Sequence, residues 1–292
     1  MLAKARWFNM GGSLSKRRFS DAWVIVETRK QEFAIPAIYV REVVVMPEIT
    51  TIPQRGPEYR GVINLCGRIL TVIDMRKQFG WQSVAEELED FFKMMTQREQ
   101  DHRNWLNELE RSVVQGTEFR LARDHRQCAF GKWFYSYKSE SPWVMALLQK
   151  FELPHSEIHA PASSIFELMK NGRNAKVLRM IENARNGVLQ EMVSLFQQLR
   201  SFMLGTVKEL AMVITLNRGT FAVSIDSALG VERIASDMIK EVQINSASLG
   251  RGLVHRAAQR SATGSLAMIL EPERFLSSPH AGRPSQFASQ AS

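Results

Sequence analysis

The sequence predicts an α+β chain in which one β domain is split by a helical insertion. Three observations lead there. Residues 21–81 and 205–276 carry short β-rich runs, the hydrophobic period lengthens to about three and a half between 82 and 204, and the two β segments echo each other in residue order. A chain of 292 residues with 45% apolar content is long enough to bury at least one sizeable core.

Taken in order, residues 1–20 form a basic tail. In residues 21–81, Trp23-Val-Ile-Val26 and Phe33-Ala-Ile35 flank a polar turn at Thr28–Gln31, and Val62–Leu65 and Ile69–Ile73 flank Gly67. Such strands suggest a small barrel or sandwich. Residues 205–276 repeat the scheme, with Met212–Ile214 and Phe221–Val223 around Asn217-Arg-Gly219. Phe33-Ala34-Ile35 with Val40-Arg41-Glu42-Val43 parallels Phe221-Ala222-Val223 with Val231-Glu232-Arg233-Ile234, which points to a divergent internal repeat.

Residues 82–204 read differently. Val84, Leu88, Phe91, Met95, His102, Trp105, Leu109 and Val113 keep one face of a long helix inward, with Arg98 as the polar interruption. A second long helix aligns Val177, Ile181, Ala184, Val188, Met192, Leu195, Leu199 and Phe202 and stops at Gly205. Two long helices enclosing shorter pieces suggest an antiparallel bundle that replaces one loop of the β domain, since loop closure costs grow only logarithmically with length. Residues 277–292 read as a disordered tail.

No run approaches the roughly 18 apolar residues of a membrane span, and no secretory leader is visible, so a cytoplasmic address is expected. The net charge of +8 resides in the ends. Residues 1–20 hold five Lys or Arg and no acid, residues 251–292 five Arg and two Glu, and the segment between balances 28 bases against 28 acids. The body therefore offers no electrostatic case for nucleic acid, and the tails suit solvated disorder or an acidic partner. Two cysteines, Cys66 and Cys128, fall in different segments, which disfavours a disulfide.

Four of the six histidines and Cys128 lie in the insertion. His155 and His159, four apart on a helix, share a face; His102 sits on the inward face of the first helix; Cys128 precedes an apolar run. Three imidazoles and one thiolate suit a closed tetrahedral Zn2+ site. His125 is the competing candidate, although Asp124 and Arg126 beside it favour a surface or supporting role. Catalysis is poorly supported. Ser156 stands where a zinc protease needs Glu, four protein ligands leave no place for a reactive water, and no triad surrounds Cys128, so the chain is not expected to be an enzyme.

The run His102-Arg-Asn-Trp105, Cys128-Ala-Phe-Gly131-Lys-Trp133 and His155-Ser-Glu-Ile-His159 resembles the chemoreceptor zinc-binding (CZB) domain. That resemblance implies a four-helix bundle with His102, Cys128, His155 and His159 as zinc ligands. Phe33-Ala-Ile-Pro36, Val40-Arg-Glu-Val43, Pro47–Pro53, Gly61–Leu65 and Val72–Arg76 are similar to the CheW-like chemotaxis adaptor domain. This second resemblance implies two intertwined SH3-like β-barrels, and a scaffold joining chemoreceptors to a histidine kinase of CheA type.

Cys66 stands where the adaptor family usually carries a receptor-contacting arginine, and Pro161 is expected to kink or shorten the His155–His159 helix. Arg41, Glu42, Cys66 and Asp74 are the candidate partner-interface residues. The function expected is a zinc-binding adaptor that senses oxidants through Cys128, or zinc itself, with homodimerisation through the bundle. The alternative is a scaffold with purely structural zinc.

Overall fold

The chain is described from a computed structural model covering residues 21–53, 56–139, 141–170, 174–242 and 252–276. Both expected tails, 1–20 and 277–292, lie outside those residues. The described residues form two compact units: one drawn from residues up to Val84 and from Lys208 onward, the other from Ala85–Val207.

The first unit is built on β1 (Ala22–Thr28), β2 (Gln31–Pro36), β3 (Val40–Val45), β4 (Tyr59–Leu65) and β5 (Arg68–Asp74), followed by the short helix α1 (Met75–Gln78). It resumes with β6 (Leu210–Leu216), β7 (Gly219–Ile225), β8 (Ser227–Arg233), β9 (Ile239–Glu241), β10 (Val254–Gln259) and β11 (Leu266–Leu270). These make a six-stranded sheet in the order β8-β1-β2-β11-β10-β9 and a five-stranded sheet in the order β3-β6-β7-β5-β4.

The two sheets follow one plan. Each has a central hairpin, β1–β2 or β6–β7, with an antiparallel neighbour on its first strand and a parallel neighbour on its second. That parallel neighbour then pairs with an antiparallel strand carrying a register shift. Even the last partner is repeated: β9 pairs β10 in one sheet, and an isolated bridge from Thr50 to Val62 takes that place in the other. The residue echo noted above falls on equivalent strands, β2 with β7 and β3 with β8.

The halves are also exchanged. β3 of the first half pairs β6 of the second, and β8 of the second pairs β1 of the first. Neither half holds a complete sheet, so each depends on strands supplied from beyond the helical insertion.

Apolar runs rather than strict alternation in the hairpins follow from burial on both faces. Val24, Val26, Phe33, Ile35, Met212, Ile214, Phe221 and Val223 meet in one core shared by the two sheets. Trp23, Ile25, Ala34, Ala258 and Ile269 fill a second core, and Ile63, Leu70, Val72, Val213 and Ala222 a third. Turns tie the strands together. Arg29 and Lys30 both adopt positive φ in the two-residue β1–β2 turn, where the Arg29 amide donates to Asp226 at 2.8 Å. Asp226 also takes a two-point ion pair from Arg76, at 2.9 and 2.7 Å.

The second unit contains, among the described residues, α2 (Val84–Gln115), α3 (Ala129–Ser136), α4 (Pro142–Gln149), α5 (Glu152–His159), α6 (Pro161–Lys170), α7 (Asn174–Asn186) and α8 (Val188–Thr206). Met95, Leu106, Phe130, Phe151, Ile158, Val177, Met192 and Phe196 form its core. One local expectation needs correction: the second long helix is not continuous, since Gly187, with φ −105° and ψ −93°, breaks it into α7 and α8. Pro161 falls where a short helix was expected: α5 ends at His159 after eight residues, Ala160 is right-handed (φ −53°, ψ −41°), and the proline becomes the first residue of α6, where it lacks no needed N–H.

Gly61 is the most constrained position in the β unit. It has φ +137°, and a Cβ there would come 2.1 Å from the Thr50 carbonyl oxygen, on the segment that bridges to Val62. Gly61→Ala combines backbone strain with a clash against main chain. It is expected to lower stability by at least ~2 kcal/mol, read as a shifted denaturant midpoint of the β unit.

Candidate metal centre

Helix α2 carries His102 because its inward stripe passes through that position, and the ring is only 3% exposed. Its Nδ1 lies 2.7 Å from the Arg98 carbonyl, one turn earlier. That bond fixes the proton on Nδ1 and leaves Nε2 as a lone-pair donor, the usual way a ligating histidine is oriented. Nε2 is buried and has no hydrogen-bond partner.

His155 and His159 lie one turn apart on α5, both buried, with ring centroids 5.2 Å apart. His155 Nδ1 is buried without a hydrogen-bond partner, and both ring nitrogens of His159 are buried with none of good geometry, the backbone at Ala122 and Arg123 being the nearest groups that act on that ring. Trp105, three residues beyond His102, packs on His159 at 4.6 Å and donates its indole N–H to the Ala122 carbonyl at 2.7 Å. One side chain therefore positions a ring of the site and ties down the chain segment that leads to the thiol.

Cys128 caps α3. Its sulfur accepts from the Gly131 amide at 3.1 Å, donates toward the His125 carbonyl at 3.2 Å, and lies 3.1 Å from His155 Nε2. Gly131 is what allows this close loop: a Cβ there would sit 2.0 Å from the His125 carbonyl oxygen. The glycine stands in the run that carries the CZB resemblance, but its role depends on a contact with residue 125 that spacing does not reveal.

The four donor atoms of His102, Cys128, His155 and His159 all lie within 4.8 Å of one another. Tetrahedral zinc with bonds near 2.0–2.3 Å needs donor separations of roughly 3.3–3.8 Å, so the set closes on an ion by small movements.

Electrostatics point the same way. Burial, reinforced by the neighbouring imidazoles His102 and His159, pushes His155 down to about 2, and burial with the His102 charge pushes His159 down to about 4. Burial also lowers His102. All three rings are neutral at physiological pH and can offer lone pairs. Burial raises the Cys128 thiol more than the Gly131 and Phe130 amides lower it, so the protein alone does not hold a free thiolate there. A cation would take one nitrogen of each ring and stabilise the sulfur anion together. The donor set thus fits zinc, and with four protein donors it leaves no open coordination position for substrate.

The other candidates are dispersed. His125 is half-buried beside the site, outside the four-donor group. Arg41 is exposed on β3, and Glu42 pairs with Arg68 at 2.7 Å. Cys66 is exposed in the β4–β5 turn with φ +53° and is a free thiol, as is Cys128. Asp74 is only 1% exposed, and its carboxylate caps α1 by accepting from the Lys77 amide at 3.1 Å. The structure thus gives Asp74 a buried capping role and leaves Arg41 and Cys66 on the surface. No helix among the described residues is long and apolar enough to cross a membrane.

Residues 22–101 match the family model for the CheW-like domain, and residues 102–166 match that for the chemoreceptor zinc-binding domain. No curated protein matches the chain. Among solved structures, the scaffolding protein TtCheW from Thermoanaerobacter tengcongensis is similar at 11% identity, over 88% of each chain, with a TM-score of 0.41.

His155→Ala is expected to abolish stoichiometric zinc binding. Gly131→Ala, which removes no donor atom, is expected to weaken it by about 10–100-fold by displacing the 125–128 turn. Metal analysis after dialysis, with chelator competition for affinity, checks both.

Proposed function

We propose that this chain, which carries a CheW-like domain and a chemoreceptor zinc-binding domain, is a cytoplasmic chemotaxis-type adaptor. In this reading residues 21–81 and 205–276 make one scaffold that links receptors to a CheA-type histidine kinase. Residues 82–204 form the inserted sensory module, binding one zinc through His102, Cys128, His155 and His159. The observation that carries the reading is the convergence of these four donors, with buried imidazole nitrogens that no protein group satisfies.

The finer architecture belongs to the same proposal. Cores on both faces of each central hairpin support reading the two sheets as small SH3-like barrels. The single right-handed residue Ala160 between α5 and α6, and the single-residue break between α7 and α8, support reading the helical segments as rods of a four-helix bundle. A groove lined by Leu88, Phe92 and Lys93 of α2 and by Leu204 of α8 is where we place a homodimer contact. Arg41, Glu42 and Cys66 are the proposed partner-facing residues; Asp74 would act by holding α1.

Sensing is proposed to begin at Cys128. It is the donor residue that solvent reaches, whereas the three histidines are 3, 0 and 2% exposed. A peroxide or hypohalous acid would transfer one oxygen to Sγ, giving a sulfenic acid and releasing water or a hydrogen halide. Bound zinc supplies a cross-link between α2, the Cys128 turn and α5, on the order of 10 kcal/mol in small structural sites. Weakening one of four links would loosen those helices, and the chain continues from both ends of the insertion into the two exchanged halves of the β scaffold. The burial of the histidines also favours a second reading, a scaffold whose zinc is a permanent staple.

Graded oxidant separates the two. The sensory reading expects Cys128 to lose titratable thiol and the thermal transition of the helical unit to fall at sub-stoichiometric to stoichiometric doses, while Cys128→Ser does not respond. An unaltered thiol and transition in the parent protein would leave the staple. Removal of zinc by a strong chelator is expected to lower the helical unit's transition in either case.

A further inference from the structure

We infer that His125 is a reserve metal donor, placed to take the fourth position when the Cys128 thiolate is withdrawn. The inference rests on the zinc site proposed above. It is carried by geometry outside the four-donor set.

The first observation is position. The His125 ring centroid lies 5.5 Å from that of His155, with an interplanar angle of 86°. The rings of His102, His155 and His159 are 5.1, 5.2 and 5.8 Å apart, at 79–88°. His125 therefore packs on His155 as the three histidines of the site pack on one another, although its nitrogens stay outside the 4.8 Å group.

The second observation is linkage to the thiol. Cys128 Sγ lies 3.2 Å from the His125 carbonyl, so residue 125 belongs to the same tight turn as the sulfur it would replace. The third is freedom to move. Residues 117–127 carry no helix or strand, and the His125 ring is held by an Asp124 carboxylate 3.6 Å away and an edge contact to Tyr135. His125 and His159 line one cleft of about 360 Å³, together with Arg123, Ser156 and Glu157. The cleft gives the His125 ring open space on the side of His159.

Exchange of a thiolate for an imidazole keeps a four-donor nitrogen set acceptable to zinc and removes one negative charge from the site. Signalling by this route would change the charge and the helix contacts at Cys128 without releasing the ion. That differs from a simple loosening in an observable way.

The test is zinc affinity and cobalt absorption of Cys128→Ser, His125→Ala and the double variant in the full-length protein. Cys128→Ser is expected to retain one zinc with affinity reduced about 10–100-fold, and to keep the intense tetrahedral cobalt bands without the sulfur charge-transfer band. Adding His125→Ala is expected to cost at least about tenfold more and to collapse those bands. His125→Ala in the intact site should stay within about threefold of the parent protein. Equal affinities of Cys128→Ser and the double variant would overturn the inference, as would His125→Ala alone losing zinc like His155→Ala. Failure of the underlying site is distinguishable, because the parent protein would then bind no stoichiometric zinc at all.

Discussion

The helical unit depends on one unfavourable arrangement: three buried histidines and a half-buried cysteine converge on a point where four of the six ring nitrogens find no protein partner. His102 Nε2, His155 Nδ1 and both nitrogens of His159 are in this condition. Each unsatisfied buried polar group costs on the order of 1–3 kcal/mol, so the four together would be a large fraction of a small domain's stability. An ion that accepts one lone pair from each ring removes part of that cost and joins α2, the Cys128 turn and α5. The surrounding groups serve this arrangement. Arg98 supplies the carbonyl that sets the His102 tautomer, Trp105 holds His159 and Ala122, and Gly131 lets the His125 carbonyl approach the start of α3.

The β unit obeys a different constraint. Its two halves share one plan, and each completes the other's hairpin on both sides: β3 and β5 flank the second hairpin, β8 and β11 the first. An insertion between such halves sits in the only covalent link between two segments that must intertwine, yet it interrupts neither hairpin. Tolerance of a long insertion here follows from the slow growth of closure entropy with length.

Much of this was legible in residue order, for identifiable reasons. Trp23–Val26 and Phe221–Val223 announce strands because β-branched and aromatic side chains cluster there, and they lie in the central hairpins. The His102 stripe announces a helix because apolar spacing is a local property of the chain. Gly187 escaped notice since a helix-compatible apolar pattern runs on both sides of it, and the break depends on how α7 and α8 pack. Asp74 read as a surface charge for a similar reason: a carboxylate that caps a buried helix has the same letter as one in solvent. Pro161 was legible as a boundary: α5 ends at His159 and the proline opens the next helix.

By itself the sequence determined which residue types were available and with what period. Three histidines and a cysteine in one insertion narrow the chemistry to a soft or borderline cation, and the repeated Phe-Ala-Ile and Phe-Ala-Val runs declare a duplicated β motif. Only the tertiary structure decided which atoms meet. Donors at 102, 128, 155 and 159 are brought within 4.8 Å of one another while His125, as good a ligand on paper, is held one ring further out. Which strand completes which sheet was settled at the same level. Both outcomes arise from contacts between residues distant in the chain, whose energies depend on packing and desolvation rather than on local spacing.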